Sequence, residues 1–229
     1  IGSDTHLGVN MNTPTKITFS RIIAIVVMII TLVVFYFIGV FNPSFVIPNI
    51  PGTNINWLYF GLFIFFVLAS FTDFLDGYLA RKNNQVTDLG KFLDPVADKL
   101  LVNSMVIFLI VPASYAPGQM SWSLWCAIIL VARDIIVDAL RFIAAQKGVV
   151  IAANIFGKAK TVLEMIAVSL VLLNSWPFSY FDGTWPNSLK IAQIFVYLCT
   201  IASVLSGVIY MVKYGHVLLG KKNESGTSK

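Results

Sequence analysis

Charged residues are scarce in this sequence. Only 12% of its 229 residues are charged, whereas 57% are hydrophobic. A soluble globular domain carries about 25% charged residues, roughly twice this share. The composition therefore excludes an ordinary soluble domain and predicts a protein that lies in a lipid bilayer.

Cysteine and histidine are also rare. Cys126 and Cys199 each lie inside an apolar run, which excludes a disulfide framework or a thiolate metal site and predicts two small core residues. His6 and His216 lie in the two tails. Any bound metal must therefore be held mainly by carboxylates, which predicts a hard divalent cation, magnesium or manganese, and not zinc.

Long apolar runs are what the sequence has instead. A helix that crosses a bilayer needs roughly 20 mainly apolar residues. The first run shows no small-residue cleavage site before Asn42, so we interpret it as a true span and not as a signal peptide. We expect an all-α integral membrane protein with six transmembrane helices, at about 19–41, 56–80, 89–112, 121–146, 152–174 and 189–212.

The segments outside these runs are short and polar. Residues 1–10 precede Met11, which could be a native start, so we interpret them as an expression remnant outside the fold. Residues 11–220 are expected to form one six-helix transmembrane domain, followed by a polar tail at 221–229. The connections between runs are rich in Pro, Gly, Asn and Ser, so they divide helical hairpins and not domains.

Lysine and arginine indicate how the chain crosses the membrane. They concentrate in cytoplasmic segments of membrane proteins, and six spans place both termini on the same side. We therefore expect cytoplasmic termini, a surface that faces anionic membrane lipids, and no nucleic-acid partner for the net charge of +5. Lys190 flanks the opposite face; the predicted cytoplasmic cations are Lys16, Arg21, Arg81, Lys82, Lys147, Lys158, Lys160, Lys213, Lys221, Lys222 and Lys229.

Four carboxylates, at Asp73, Asp76, Asp94 and Asp98, lie within 26 residues that also contain Asp88, although the whole chain has only 11 acidic residues. On a helix that advances about 100° per residue, Asp73 and Asp76 share one arc with Gly77 and Ala80. Two carboxylates therefore flank a strip of the helix surface that has no bulky side chains. This arrangement predicts a ligand that approaches the helix closely.

The next helix carries the other two carboxylates. Asp94 and Asp98 share an arc, and the short link at 82–86 makes the two helices antiparallel neighbours whose acidic faces meet near the cytoplasmic boundary. Unpaired carboxylates at that depth repel each other unless they bind cations or protons. Two divalent ions about 3.5–4 Å apart are a recurrent device for phosphoryl displacement. Asp73, Asp76 and Asp94 suit ligand roles, and Asp98 suits a ligand, a proton acceptor or both.

The segment from Asp73 to Asp98 resembles the signature of the CDP-alcohol phosphotransferase family. That signature is D-x-x-D-G-x-x-A-R, eight residues, then G-x-x-x-D-x-x-x-D, and every specified position matches here. The resemblance implies a six-helix fold, usually homodimeric, in the bacterial cell membrane, with its active site at the cytoplasmic face. It also implies transfer of the phosphatidyl group of CDP-diacylglycerol to an alcohol, with release of CMP, using magnesium or manganese.

The resemblance assigns roles position by position. The four aspartates would hold two metal ions, with Asp94 and Asp98 catalytic and Asp98 the general base for the incoming hydroxyl. The residues expected to bind CDP-diacylglycerol are Thr18, Asp73, Gly77, Ala80 and Arg81, of which Arg81 matches the diphosphate-contacting position.

Two further segments are similar to the phosphatidylglycerophosphate synthase branch of that family. One is the opening stretch 12–21; the other includes Arg133, Arg141 and the run 157–161. The acceptor implied is glycerol 3-phosphate, whose own phosphate suits a basic pocket. The residues expected to bind that phosphate are Arg21, Arg133, Arg141, Lys158 and Lys160.

Other interpretations remain open at this point. The acidic residues could form salt bridges at helix ends, with Arg81, Lys91 and Lys99 as partners. Arg133 could pair with Asp134 or Asp138, and Glu164 could simply neutralise Lys160, so Glu164 is assigned no role. The acceptor could be inositol phosphate, phosphatidylglycerol or serine. The chain could instead be a cation transporter or a catalytically silent scaffold.

Overall fold

The computed structural model of the protein describes residues 13–82, 88–149, 151 and 155–218. These residues form helices and no strand, apart from one isolated bridge between Asn49 and Asn56. The prediction of an all-α fold is therefore confirmed for this part of the chain. The helices are α1 (Thr13–Phe41), α2 (Trp57–Lys82), α3 (Asp88–Ile110), α4 (Leu124–Gln146), α5 (Ile155–Leu172), α6 (Ser179–Asp182) and α7 (Ile191–Leu218), with a 3₁₀ helix at Asn187–Leu189.

The six long helices coincide with the six predicted apolar runs. The first helix begins at Thr13 and the last ends at Leu218, so both extend beyond the apolar core into polar sequence. Sequence analysis missed the short α6 and the 3₁₀ helix, which lie in a segment predicted only as a linker. Neither is longer than one helical turn, so neither produces a hydrophobic period that could be recognised.

Two of the long helices are apolar enough over their described length to cross a membrane. They lie within α1 and α7, at Thr15–Phe41 and Ile191–Gly215, with mean hydropathies of 3.0 and 2.1. The outward face of α1 exposes about half of each of Ile23, Val27 and Ile30. A continuous apolar face of this size is stable against lipid or another protein and not against water.

The helices between them pack around an apolar interior. Helix α7 lies against α4 and α5, while α1 lies against α2 and α3. Tyr59, Phe66 and Met105 are among the large side chains that are almost fully buried. Cys126 and Cys199 are both buried and free, which confirms their prediction as core residues.

Asn174 joins the connections at one end of the helices. Its Nδ2 donates to the carbonyl oxygen of Asn54 at 2.8 Å and to that of Gly118 at 3.3 Å, and its Oδ1 accepts from the amide of Met120 at 3.1 Å. Its φ of 53° is a left-handed conformation that asparagine tolerates better than most residues. One side chain thus ties three loops together, and we call this region, residues 42–56, 111–123 and 173–190, the loop end.

The opposite end of the helices is the charged end. Here α2 and α4 finish and α3 and α5 begin, so this end gathers the ionisable side chains of four helices. The packing of the helices fixes the positions of those side chains.

Candidate active site

Helix α1 contacts the carboxylates of both neighbouring helices at the charged end. The hydroxyl of Thr18 donates to Asp94 Oδ1 at 2.8 Å, and Arg21 Nη1 forms an ion pair with Asp73 Oδ1. Thr18 and Arg21 are 2% and 5% exposed. These buried contacts place the first helix beside two of the predicted metal ligands.

The position of Arg21 differs from the one expected. It was predicted to bind the phosphate of an acceptor together with the cations of α4 and α5. Instead it pairs with Asp73, because α1 packs on α2 and α3 and so faces the acidic residues. The other four predicted acceptor residues line one polar cavity between α3, α4 and α5. Arg21 does not line that cavity.

Asp98 lies between the acidic residues and that cavity. The negative charge of Asp73 repels its carboxylate, and the positive charges of Lys160 and Arg21 attract it. It also forms part of the cavity wall. A single carboxylate therefore faces both the predicted metal ligands and the predicted acceptor pocket.

Several predicted residues of the signature have side chains outside the described part of the structure. The helical backbone of α2 runs through Asp76, Gly77, Ala80 and Arg81, as the arc argument requires, but their side-chain positions are not described. Gly90 lies in α3. Thr87-Asp88 is a sequence typical of a helix N-terminus, and Thr87 lies outside the described residues.

The donor set at the charged end fits a divalent cation in its chemistry. Asp73, Asp94 and Asp98 supply carboxylate oxygens, which are the ligands that magnesium and manganese prefer. In the described ranges, no group of three or more His, Cys, Asp and Glu side chains is close enough to hold a metal. The remaining predicted ligand, Asp76, has its side chain outside those ranges.

A polar cavity of about 230 Å³ opens beside Asp98, between α3, α4 and α5. It brings together four of the five residues predicted to bind the acceptor phosphate. The wall consists of Asp98, Lys99, Val102, Asn103, Arg133, Asp134, Val137, Asp138, Arg141, Gly157, Lys158, Lys160, Thr161 and Glu164.

Two of the predicted phosphate-binding cations are already paired in this wall. Asp134 accepts from Arg133 Nη1 at 3.0 Å and from Lys160 Nζ at 2.8 Å. Lys160 also pairs with Glu164 at 2.6 Å. Two cations and two carboxylates thus form one network in which the charges cancel, and the interpretation that Glu164 neutralises Lys160 agrees with this contact.

Helix α7 supplies a groove that holds Arg133. Arg133 Nε donates to the carbonyl oxygen of Ser203 at 3.2 Å, and its Nη2 donates to Ser206 Oγ at 2.6 Å. A Cβ atom at Gly207 would lie 3.1 Å from Arg133 Cγ. Small residues on α7 therefore let the guanidinium lie close to the helix and fix its direction.

Arg141 and Lys158 are the predicted cations that form no ion pair with a described carboxylate. Arg141 Nη2 donates to the hydroxyl of Tyr210 at 2.7 Å, and its Nε is buried without a hydrogen-bond partner among the described residues. Lys158 is exposed. Two cations of the cavity thus remain available for an anion.

Lys99 and Asp138 form an ion pair between α3 and α4 at the edge of the cavity. Both side chains are about one third to two fifths exposed, at 34% and 42%. The described partner of Lys99 is therefore Asp138, and not one of the four signature aspartates as the salt-bridge interpretation required.

Sequence analysis missed the contribution of α7. Ser203, Ser206, Gly207 and Tyr210 follow the spacing i, i+3, i+4, i+7, which is one face of a helix. Small and polar residues at that spacing in an otherwise apolar helix are the signal that could have identified this face. It was not recognised because the signature motif lies on α2 and α3.

Comparison with known proteins identifies the family. The sequence model for CDP-alcohol phosphatidyltransferase matches residues 11–213, nearly the whole chain. The chain belongs to the CDP-alcohol phosphatidyltransferase family. The aspartates of this phosphatidyltransferase, like its cavity, lie within the matched region.

The chain is also similar to individual bacterial and plant proteins. It is 38% identical over 205 residues to the CDP-diacylglycerol–glycerol-3-phosphate 3-phosphatidyltransferase of Bacillus subtilis, covering 88% of this chain and 94% of that protein. The protein of the same name from Rickettsia bellii is 34% identical over 204 residues, with the same coverage. A second form from Arabidopsis thaliana is 36% identical over 163 residues, covering 68% of this chain and 67% of that protein.

Proposed function

We propose that this phosphatidyltransferase transfers the phosphatidyl group of CDP-diacylglycerol to sn-glycerol 3-phosphate, giving phosphatidylglycerophosphate and CMP. The observation that carries the proposal is the cavity at the charged end. It combines one carboxylate that can accept a proton, Asp98, with two cations that no described carboxylate neutralises, Arg141 and Lys158. The similarity to relatives whose names specify this reaction supports the same acceptor.

The available cations suit an acceptor that carries its own phosphate. A phosphate ester is close to a dianion at neutral pH, and arginine binds its oxygens with several parallel N–H donors. Serine or an uncharged alcohol would leave Arg141 and Lys158 uncompensated. Because Arg133 and Lys160 are held by Asp134 and Glu164, we assign them to shaping the wall and not to direct binding.

Asp98 is the residue that we assign as general base. It would accept the proton of the acceptor's C1 hydroxyl while that oxygen forms a bond to the phosphorus carrying diacylglycerol. The bond from this phosphorus to the oxygen of CMP breaks, and CMP leaves with the electron pair. No covalent intermediate on the enzyme is needed, so positioning and electrostatics supply most of the rate.

The nucleotide side of the site is assigned to α1 and α2. Asp73, Asp76, Asp94 and Asp98 would hold two divalent cations, magnesium or manganese, which when bound neutralise charge on the diphosphate. Thr18 and Arg21 position Asp94 and Asp73 for that task through the contacts described above. Gly77, Ala80 and Arg81 are assigned to CDP-diacylglycerol, Arg81 to its diphosphate.

We also propose that all six long helices cross the bacterial cell membrane, with the charged end and both termini in the cytoplasm. The concentration of lysine and arginine near the charged end supports this orientation. The two buried native cysteines allow a direct test, because they give little background with a membrane-impermeant thiol reagent. Lys213→Cys should be labelled only from the cytoplasmic side and Lys190→Cys only from the outside; the reverse pattern would invert the topology.

A homodimer is proposed as the working assembly, as the family resemblance implies. The exposed apolar side chains of α1, α4 and α7 provide surfaces that lipid or a second copy of the chain can cover. Cross-linking in membranes at several protein-to-lipid ratios would separate a stable dimer from chance encounters.

The deciding experiment for the reaction uses purified protein in detergent–lipid micelles with CDP-diacylglycerol and magnesium. CMP release is followed with glycerol 3-phosphate, inositol phosphate, serine, phosphatidylglycerol or no acceptor. Release that depends on glycerol 3-phosphate is the expected result. CMP release only with another acceptor would contradict the assignment of glycerol 3-phosphate and would keep the reaction class. If folded protein releases no CMP with any acceptor, the transporter interpretation is favoured.

A further inference from the structure

Two polar side chains of the cavity carry hydrogen-bonding atoms that have no part in the transfer described above. They are Asn103 on α3 and Glu164 on α5, and both line the cavity. Asn103 lies five residues beyond Asp98, and Glu164 lies four beyond Lys160. At 1.5 Å per residue, they lie about 7.5 Å and 6 Å further along their helices.

Both residues lie on the side of the cavity away from the charged end. Helices α3 and α5 run in the same direction, because Gln119, just beyond α3, donates to the carbonyl oxygen of Val171 at the far end of α5 at 2.7 Å. Arg141 and Lys158 lie near the ends of their helices at the charged end. We therefore call Asn103 and Glu164 the cavity floor.

The cavity floor holds hydrogen-bonding groups that the described protein does not use. The half-buried amide of Asn103 makes no hydrogen bond to another described residue. Glu164 is 2% exposed, and its Oε2 binds Lys160, whereas its Oε1 has no hydrogen-bond partner in the described part of the chain. A buried polar atom without a partner is costly, so a ligand that supplies one gains affinity.

A hydroxyl group suits both members of the floor. It can donate to a carboxylate oxygen and accept from an amide N–H at the same time. Glycerol 3-phosphate carries its phosphate on C3 and the attacking hydroxyl on C1, which leaves one hydroxyl, on C2. With the phosphate at Arg141 and Lys158 and the C1 hydroxyl at Asp98, the C2 hydroxyl is the remaining group to be bound.

We propose that the cavity floor binds the C2 hydroxyl of the acceptor, with Glu164 accepting from it and Asn103 donating to it. Asn103 and Glu164 are then residues that determine acceptor specificity. The inference rests on the proposed function, because it takes glycerol 3-phosphate as the acceptor. Three separate contacts also fix the handedness of the acceptor, which two contacts could not do.

The test is a competition between glycerol 3-phosphate and 3-hydroxypropyl phosphate, which differs only in lacking the C2 hydroxyl. The ratio of the two phosphatidyl products gives the ratio of kcat/KM values, and this ratio does not depend on how much of the enzyme is folded. The wild type should prefer glycerol 3-phosphate by about tenfold or more, because a site built for a hydroxyl rejects an analogue without it.

Two variants and one control locate the contact. Asn103→Ala and Glu164→Gln should each lower the preference by about threefold or more, since each weakens one hydrogen bond to the hydroxyl. Asn103→Ala should keep the wild-type melting temperature, because the side chain has no described hydrogen bond to lose. Ser104→Ala, on the next residue but lining a different, apolar groove, should leave the preference unchanged.

The outcomes separate the two proposals. A wild-type preference below about threefold, or an unchanged preference in both variants, would overturn the role of the cavity floor. A lower preference for glycerol 3-phosphate in either variant assigns the C2 hydroxyl to the substituted residue. If folded wild type makes no product from glycerol 3-phosphate, the proposed function fails together with this inference, whereas product formation with unchanged ratios removes the inference alone.

Discussion

The two ends of the helices are held together by different chemistry. At the loop end, Asn174 forms neutral hydrogen bonds to backbone atoms, and the buried carboxylate of Asp182 accepts from the hydroxyl of Ser175 and the amide of Ile191 without an ion pair among the described residues. At the charged end, Arg133, Asp134 and Lys160 form ion pairs between side chains of two helices. Neutral bonds to backbone stabilise a fixed geometry, whereas a network of charges can also carry out chemistry. The difference indicates that stability and activity are assigned to opposite ends of the protein.

The largest expected effect is at Asp98. Asp98→Asn should lower kcat by about a thousandfold, because removal of a general base typically costs 10²–10⁴ in rate. Binding of CDP-diacylglycerol, measured with a radiolabelled substrate, should persist. Substantial turnover in this variant would remove Asp98 as the base and would weaken the distinction between the two ends.

Arg141 should show the next largest effect. Arg141→Ala should raise the KM for glycerol 3-phosphate by about 10- to 100-fold, since a charge-assisted hydrogen bond to phosphate is lost. The KM for CDP-diacylglycerol should stay close to that of the wild type. Arg141→Lys is the matched control, because it keeps the charge and loses the hydrogen bond from the guanidinium to the hydroxyl of Tyr210. An unchanged acceptor KM in Arg141→Ala would show that the phosphate binds elsewhere.

The loop end should respond in stability and not in kinetics. Asn174→Ala removes three hydrogen bonds and leaves buried backbone groups without partners, so the free energy of unfolding should fall by about 1–3 kcal/mol. Thermal unfolding in detergent measures the loss. The acceptor KM of the remaining folded enzyme should equal that of the wild type, and a shifted KM would mean that the two ends are coupled.

The smallest expected effect is at Gly207. An added Cβ would lie 3.1 Å from Arg133 Cγ, so Gly207→Ala should displace Arg133 slightly and raise the acceptor KM by a factor of about 2–5. Gly61→Ala is the matched control, because nothing lies within 4 Å of a Cβ at that helical glycine. If both substitutions change the acceptor KM equally, the cause is the higher helix propensity of alanine and not the groove for Arg133.

Much of the fold was predictable because membrane helices need long apolar runs. The six runs located the six long helices, although only α1 and α7 contain a described stretch long and apolar enough to cross a membrane. The placement of Asp73 on α2 and of Asp94 and Asp98 on α3 also followed from the sequence pattern. Helical periodicity and short connections are local properties, so a single sequence contains them.

The pairing of the cations was less predictable. Lys160 and Glu164 are four residues apart, and that contact could be read from the sequence. The contact of Arg21 with Asp73 depends on which helices pack together, and 52 residues separate the two partners. The groove for Arg133 depends in the same way on α7. Contacts of this kind follow from tertiary packing, which no spacing rule within one helix contains.

The ion network around Asp134 has a consequence for how the chain enters the membrane. In the proposed topology, each charged residue near the centre of a helix raises the cost of its insertion by about 2.5–3.5 kcal/mol, and the ion pair between Arg133 and Asp134 offsets only part of that cost in α4. Lys160 and Glu164 give α5 the same difficulty. The ion pair between Lys160 and Asp134 forms only when α4 and α5 lie together, so in the proposed topology it favours insertion of the two helices as a joined hairpin.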